Sequence, residues 1–246
     1  PGTAVSLRVA VVDVYGTESA GVSLSQNTLP APSTPLPTLY YDFEDDSGST
    51  VVNKSLFNPT NGVVVGAVQW VNGAPAGRSP GRGISFSGVN GNYVNTALLT
   101  SQAGMFDSEY TISFWVKLRK MNGDASVYGQ ANLGTNYAFG GYRDGRLYAG
   151  HFNSNIYFVQ TSVQDQWEHV AFVYQAGTGT GAMRLYRNGI LEMVQAERSR
   201  IAGDSLLSLG DRSLLTTDSF EGDVDEFVVY PQALTQSQVI HLHQGG

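Results

Sequence analysis

Four carboxylates crowd one short stretch near the end of the chain. Within residues 220–242 (FEGDVDEFVVYPQALTQSQVIHL), Glu221, Asp223, Asp225 and Glu226 lie almost side by side. Glu221, Asp223 and Glu226 have the spacing E-x-D-x-x-E, which could supply a glycosidase with two working carboxylates. One would attack the sugar and the other protonate the leaving oxygen, about 5–5.5 Å apart in a retaining enzyme. A regular strand opposes that set, because Glu221 and Asp223 share one face and Glu226 lies on the other unless a bulge intervenes. The stretch therefore reads as a closing strand over 220–230. Pro231 ends it, a short amphipathic turn follows over 234–242, and Glu221 becomes an ordinary surface residue.

A second acidic run, YYDFEDDSGST from Tyr40, places Asp42, Glu44, Asp45 and Asp46 within five residues. Such a run is a solvated turn or half of a calcium site, since calcium takes several hard oxygens from carboxylates and carbonyls. No EF-hand spacing accompanies it. A third group is aromatic and amide-rich: Tyr137, Phe139, Tyr142, Arg143, Tyr148, His151, Asn153, Asn155 and Tyr157. Sugars present apolar C–H faces that stack on such rings while amides and charged groups bond their hydroxyls. These residues are the candidate glycan surface, and the competing reading is that many of the tyrosines pack between two sheets.

The remaining candidates are weaker. His241 and His243 have no third ligand nearby in sequence, and His169 sits in an apolar strand with no serine or cysteine motif beside it. Asn53-Lys54-Ser55 is a formal glycosylation sequon. Arg143-Asp144-Gly145-Arg146 reads as a hairpin turn.

Composition limits what can hold these groups. The 246 residues carry 21 acidic and 14 basic side chains, net -7, with the arginines scattered, which argues against nucleic acid as a partner. Cysteine is absent, so disulfides, thiolate zinc sites and thiol nucleophiles are excluded, and a bacterial secreted or surface protein fits better than a eukaryotic one. No apolar run is long enough to span a membrane and no leader is visible, so no membrane insertion is expected. Twenty-nine glycines and 13 tyrosines favour short strands joined by tight turns.

The chain divides into three parts. Residues 1–28 hold a hairpin, with strands near 5–14 and from Val22. Residues 29–38 (LPAPSTPLPT) are a proline-rich linker, stiff enough to hold neighbours apart. From residue 39 onward strands are predicted near 63–70, 84–87, 93–97, 110–118, 137–142, 146–152, 156–160, 167–174 and 183–186. Residues 110–118 (YTISFWVKL) have the clearest period of two, with Ile112, Phe114, Val116 and Leu118 on one face and Trp115 on the other, under a loop or lining a groove. Asn188-Gly189 marks a two-residue hairpin turn. Strands at this spacing without helices between them predict an all-β, two-sheet antiparallel jelly-roll sandwich over 39–246.

Two resemblances extend this reading. LRVAVVDVYGTESAGVSLS resembles the last hairpin of a fibronectin type III domain. ISFSGVNGNYV, YTISFWV, WEHVAFVY, LYRNG and FEGDVDEFVVYPQALTQSQVIHL, in that order, resemble a laminin-G-like jelly roll of the concanavalin A-like lectin and glucanase superfamily. That likeness implies inward positions for Phe220, Val224 and Val228. It also implies a structural calcium held by Asp225 with Asp42 or Glu44. The chain departs from the family pattern at Asn92, before Tyr93, and at Ser87, where aspartates are common. In jelly-roll glucanases the carboxylate motif lies mid-chain, which separates them from this sequence. The superfamily includes lectins, adhesion modules and some enzymes, so fold outruns function here.

The expectation is a non-catalytic carbohydrate-binding or adhesion module of a secreted or surface multidomain bacterial protein, binding a glycan or polysaccharide. A glycoside hydrolase or polysaccharide lyase is the first alternative. A spacer that meets a protein partner through neighbouring modules is the second.

Overall fold

The computed structural model describes residues 4–10, 12, 14, 18, 19, 22–27, 33–44, 48–72, 75, 81–131, 137–178, 180–211 and 219–245. The chain forms two compact units, Pro1–Ser33 and Thr34–Gly246. In the first, β1 (Ala4–Val9) and β2 (Val22–Asn27) pair antiparallel as the expected hairpin. The boundary falls inside the proline-rich segment, and its last residues belong to the larger unit. Thr38 Oγ1 donates to the Ala103 carbonyl at 2.7 Å, and the Pro37 carbonyl accepts from Ser55 Oγ at 2.7 Å.

The larger unit begins with β3 (Leu39–Tyr41), β4 (Thr50–Val51), β5 (Gly62–Val65), β6 (Gln69–Asn72), β7 (Arg82–Ser87) and β8 (Tyr93–Leu99). Next come β9 (Tyr110–Leu118), β10 (Asp124–Gln130), β11 (Ala138–Arg143), β12 (Arg146–His151) and β13 (Ser154–Tyr157). It ends with β14 (Trp167–Ala176), β15 (Gly181–Arg187), β16 (Ile190–Arg198), β17 (Leu206–Leu209), β18 (Glu221–Tyr230) and helix α1 (Gln236–Gln244). One sheet has the order β13-β12-β11-β10-β17-β8-β5-β4. The other runs β16-β15-β14-β9-β18-β7-β6, with β3 also on β18. The crossovers between these orders are those of a jelly-roll sandwich.

The inward residues of both sheets make one core, which includes Phe86, Ile112, Phe114, Tyr128, Phe172 and Phe227. The period-two strand 110–118 is β9, with Ile112, Phe114, Val116 and Leu118 all in that core. Its other face is also covered, because α1 and the residues leading into it close over it. Trp115 is buried against His169 and His243, with ring centroids 5.3 and 5.4 Å away. A second, smaller apolar cluster under α1 joins Ala171, Val173, Tyr186, Val228, Tyr230 and Val239.

Three expectations change. The strand expected over 63–70 is two strands, β5 and β6, which belong to different sheets. Gly66, at φ 75, stands between them, where a left-handed residue turns the chain. The terminal amphipathic turn is a helix. Thr235 and Gln238 form a capping box at its start, and Gly245 at φ 95 ends it by donating to the His241 and Leu242 carbonyls. Val228 faces outward rather than inward. Against β9, the interval from Asp225 to Val228 contains one residue more than the interval from Trp115 to Ser113, and that bulge reverses the alternation.

Candidate functional site

Strands β11, β12 and β13 stand at one end of their sheet, so the outward face of all three is free of the sandwich core. On β11 the outward positions are Phe139, Gly141 and Arg143, while Ala138 and Tyr142 point into the core. On β12, Tyr148 is outward, and Leu147 and Ala149 are inward. The two strands are joined by Asp144-Gly145 at φ 48 and 75, a tight hairpin that puts Arg143 opposite Arg146. The Arg143–Arg146 segment is thus the turn its sequence predicted.

Outward side chains assemble into a continuous aromatic row. Tyr137 stacks on Phe152 (4.9 Å, 11°) and tilts against Phe139 (5.5 Å). Phe139 meets Tyr148 edge-on (5.3 Å), and Tyr148 meets Tyr157 (5.5 Å). Polar groups tie off one end. Asp124 accepts from Tyr148 Oη at 2.8 Å and from Arg143 Nε at 3.0 Å, and Arg143 Nη1 donates to Tyr157 Oη at 3.1 Å. Arg146 lies over the Tyr157 ring at 5.8 Å, held by the Phe158 carbonyl.

Accessibility divides this row. Tyr137, Phe139 and Tyr148 are only 4, 7 and 3% exposed, so they form its base. The accessible elements are Phe152 (39%), half-buried Tyr157 and Asn155, and exposed Arg143, Arg146 and Asn153. Asn153 sits at φ 66 in the Phe152-Asn153 turn between β12 and β13. A surface ring flanked by amides and two guanidinium groups can stack on a sugar face and donate to its hydroxyls.

Two of the expected glycan contacts are elsewhere. Tyr142 is fully buried and lies edge-on to Phe220, 6.2 Å away; burial pushes its hydroxyl up to about 12. His151 is fully buried too, between Tyr110, Phe172 and Tyr174. Alternation places both on the face opposite to Arg143 and Tyr148. Neither can touch a ligand on the outer face. Phe152, Asp124 and Arg146 belong to the outer face instead. Phe152 could have been found from its place in a two-residue turn, where a large ring has no core to enter.

The carboxylates of β18 are arranged for structure. Asp223, 4% exposed, pairs with Lys117 Nζ at 2.6 Å and with the Arg119 guanidinium. One cation sits on each carboxylate oxygen, which leaves neither free for acid or nucleophile chemistry. The bulge does lie at Glu226, at φ 47, with its N–H donated to Asp225 Oδ1 at 2.7 Å. Glu226 thereby joins the outward face that Asp223 already occupies.

The expected calcium ligands do not fit an ion as they stand. Asp42 pairs with Lys54 at 3.7 Å, Glu44 Oε1 accepts the Arg82 N–H at 3.1 Å, and Asp225 caps the bulge. Among the described residues no three histidines, aspartates or glutamates gather as a metal site. Asp45 and Asp46 lie outside the described residues. Asn92 and Ser87, where the family pattern has aspartates, are bonded to each other, Nδ2 to Oγ at 3.1 Å. His243 is packed on Trp115 and His169 rather than frayed. Asn53 is 6% exposed and its amide is consumed. Its oxygen accepts from Tyr40 and Ser55 N–H groups and its nitrogen donates to the Asn58 carbonyl, so the sequon is closed in the folded chain.

Residues 86–240, more than half of the chain, match a laminin G-like family described as the concanavalin A-like lectin/glucanases superfamily. The chain belongs to that superfamily. No curated protein matches it in sequence. Among solved structures, it is similar to the binding domain of Paraclostridial Mosquitocidal Protein 1. That match has a TM-score of 0.62 and 20% identity, over 85% of this chain and 52% of the other. Domain 4 of AbnA, a GH43 extracellular arabinanase from Geobacillus stearothermophilus solved with arabinotriose, has the same score and identity over 85% and 98%. The botulinum neurotoxin serotype G binding domain matches with TM-score 0.62 and 13% identity, over 84% and 50%. The chain thus spans about half the length of the toxin domains. At these identities the likeness concerns the fold, and the two toxin neighbours named are binding domains. No described helix is long and apolar enough to cross a membrane.

Proposed function

We propose that this superfamily member is a non-catalytic carbohydrate-binding module of a secreted or surface-displayed protein, and that the glycan lies across the outer face of β11–β13. The observation that carries the reading is the aromatic row from Tyr137 to Tyr157, with Phe152 and Tyr157 accessible and Arg143, Arg146, Asn153 and Asn155 beside them. Its buried rings set the accessible ones at a fixed spacing, so little side-chain entropy is lost on stacking. The likeness to an arabinanase domain solved with arabinotriose supports an oligosaccharide as the ligand class.

Binding is tested with a glycan array and with arabinotriose by calorimetry. Stacking of one ring is worth about 0.5–1.5 kcal/mol, so Phe152→Ala and Tyr157→Ala should each weaken binding about two- to tenfold with unchanged melting. Silence of the wild type across the array, or equal binding by both variants, overturns the assignment.

A further inference from the structure

A cavity of about 280 Å³ opens on the outward face of the sheet that contains β14 and β15. Three neighbouring strands furnish its floor. Glu109 immediately precedes β9, whose Tyr110 pairs with Tyr174 of β14; Gln175 comes next on β14, and Arg184 of β15 pairs with Val173. Gln175 has the parity of Ala171 and Val173, and Arg184 that of Tyr186, all three of which pack under α1 rather than in the main core. Glu109 and Arg184 thus flank Gln175, with their backbones two strand spacings, or about 10 Å, apart across the sheet. Leu234, Thr235 and Gln236 form the rim. That rim is fixed in place. Thr111 Oγ1 donates to the Gln232 carbonyl at 2.9 Å and accepts from the Leu234 N–H at 3.0 Å, and Thr235 is held in the capping box of α1.

Among the described residues, none hydrogen-bonds or ion-pairs with the side chains of Glu109, Gln175, Arg184 or Gln236, although all four open onto the same space. Other arginines of this unit are matched to carboxylates: Arg119 to Asp223, Arg143 to Asp124, Arg187 to Glu168 and Arg200 to Asp107. Glu109 and Arg184 are half-buried and share a cavity, yet they do not bridge it. The charge of Arg184 is felt at the cavity wall. Burial raises the Tyr186 hydroxyl, and Arg184 lowers it in part. With one carboxylate and one guanidinium the cavity is balanced, so it favours no ion of either sign.

We propose that this cavity is a second ligand site, which takes one neutral sugar ring between Glu109 and Arg184. The Glu109 carboxylate can only accept hydrogen bonds and the Arg184 guanidinium can only donate them, while Gln175 and Gln236 do both. A ring of hydroxyls, each donor and acceptor at once, satisfies that set from either side. An anion would be repelled by Glu109 and a cation by Arg184. The volume lies at the small end of ligand cavities, which begin near about 300 Å³, and so suits a single ring. Tyr186 and Leu234 offer apolar surface to its C–H groups. The site does not depend on the glycan surface of β11–β13, which lies on the other sheet.

The test is an NMR titration of the whole chain, following the amides of Gln175, Arg184 and Gln236. The probes are the methyl glycosides of glucose, galactose, mannose and arabinose, with L-alanine as a zwitterion of equally balanced charge. At least one glycoside should shift these amides at millimolar concentration, and L-alanine should not. Removing a hydrogen bond to a charged group costs about tenfold or more in affinity, so Glu109→Ala and Arg184→Ala should each weaken binding by that factor with unchanged melting. Glu109→Gln should retain part of the binding, and Phe152→Ala should leave it unchanged. No shift by any glycoside, shifts by L-alanine as large as those by the glycosides, or undiminished binding by Glu109→Ala and Arg184→Ala would overturn the proposal. Loss of the shifts in Phe152→Ala would assign them to the β11–β13 face and overturn it as well.

Discussion

His151 should make the larger unit unfold more readily as the pH falls, by an amount the structure sets. Its Nδ1 faces the Ser199 carbonyl, which can only accept, so Nδ1 carries the proton. Nε2 must then accept from Tyr110 Oη at 2.7 Å, and burial raises the Tyr110 hydroxyl well above its ordinary range, so it stays a donor. Both bonds require a neutral ring. Burial lowers His151 from 6.5 to about 4, an effect that the Ser199 bond only partly offsets. Between those values the unfolded chain binds the proton and the folded chain does not. The stabilisation is therefore complete above about pH 6.5 and is lost as the pH falls toward 4. At 1.36 kcal/mol per pH unit that loss is about 3 kcal/mol. Urea unfolding followed by tryptophan fluorescence reports this unit, since Trp70, Trp115 and Trp167 all lie in it. His151→Leu should be less stable at pH 7.5 by about 2–4 kcal/mol, from the two polar groups left unpaired. Its stability should decline less steeply than that of the wild type between pH 6.5 and 4. Parallel pH profiles would refute the assignment of a neutral, doubly bonded ring.

Two further outcomes are expected. Arg187 is 8% exposed and pairs with Glu168 at 2.6 Å and Glu192 at 2.7 Å, so Arg187→Met would leave Glu168 buried without its cation and cost about 3–5 kcal/mol in urea unfolding; a loss under 1 kcal/mol would contradict the buried pairing. Because Asp42, Glu44 and Asp225 are engaged by protein groups, a thermal melt with calcium should match one with chelator, and a rise of several degrees on adding calcium would show that the acidic turn rearranges around an ion.

Much of the fold was legible because burial on one face writes a period of two. YTISFWVKL, WEHVAFVY and the Asn188-Gly189 turn carry that signal over enough residues to mark β9, β14 and the β15–β16 hairpin. Strands β10 and β17 were not read, since DASVYGQ is broken by its own register shift and LLSL is too short to show a period. The glycan face was half legible. Its stretch of chain was evident from its aromatics, but Tyr142 and Arg143 are neighbours and so must face opposite ways, and His151 has opposite parity to Tyr148. Strand parity alone would have moved both residues to the core. A pocket of about 380 Å³ lined by β9, β14, β18 and the end of α1 left no such trace. It gathers Tyr40, Ser113, His169 and Glu226 from four separate segments, and it depends on a bulge that the residue types around Glu226 do not announce.

That bulge also governs how the last strand tolerates change in length. Upstream of it, odd-numbered positions carry the outward charges; downstream, Phe227 and Val229 are odd-numbered and inward, while Val228 and Tyr230 meet the helix. The two halves are written in opposite phase, and one residue reconciles them. A deletion at 226 would remove the glutamate and the bulge together and leave a regular strand, in which Asp225 still faces outward, Phe227 and Val229 stay in the core and Tyr230 still meets the helix. Sequence drift in this strand can therefore shorten it by one residue at 226 without turning either half over, whereas losing Val228 instead would force Phe227 out of phase with the core.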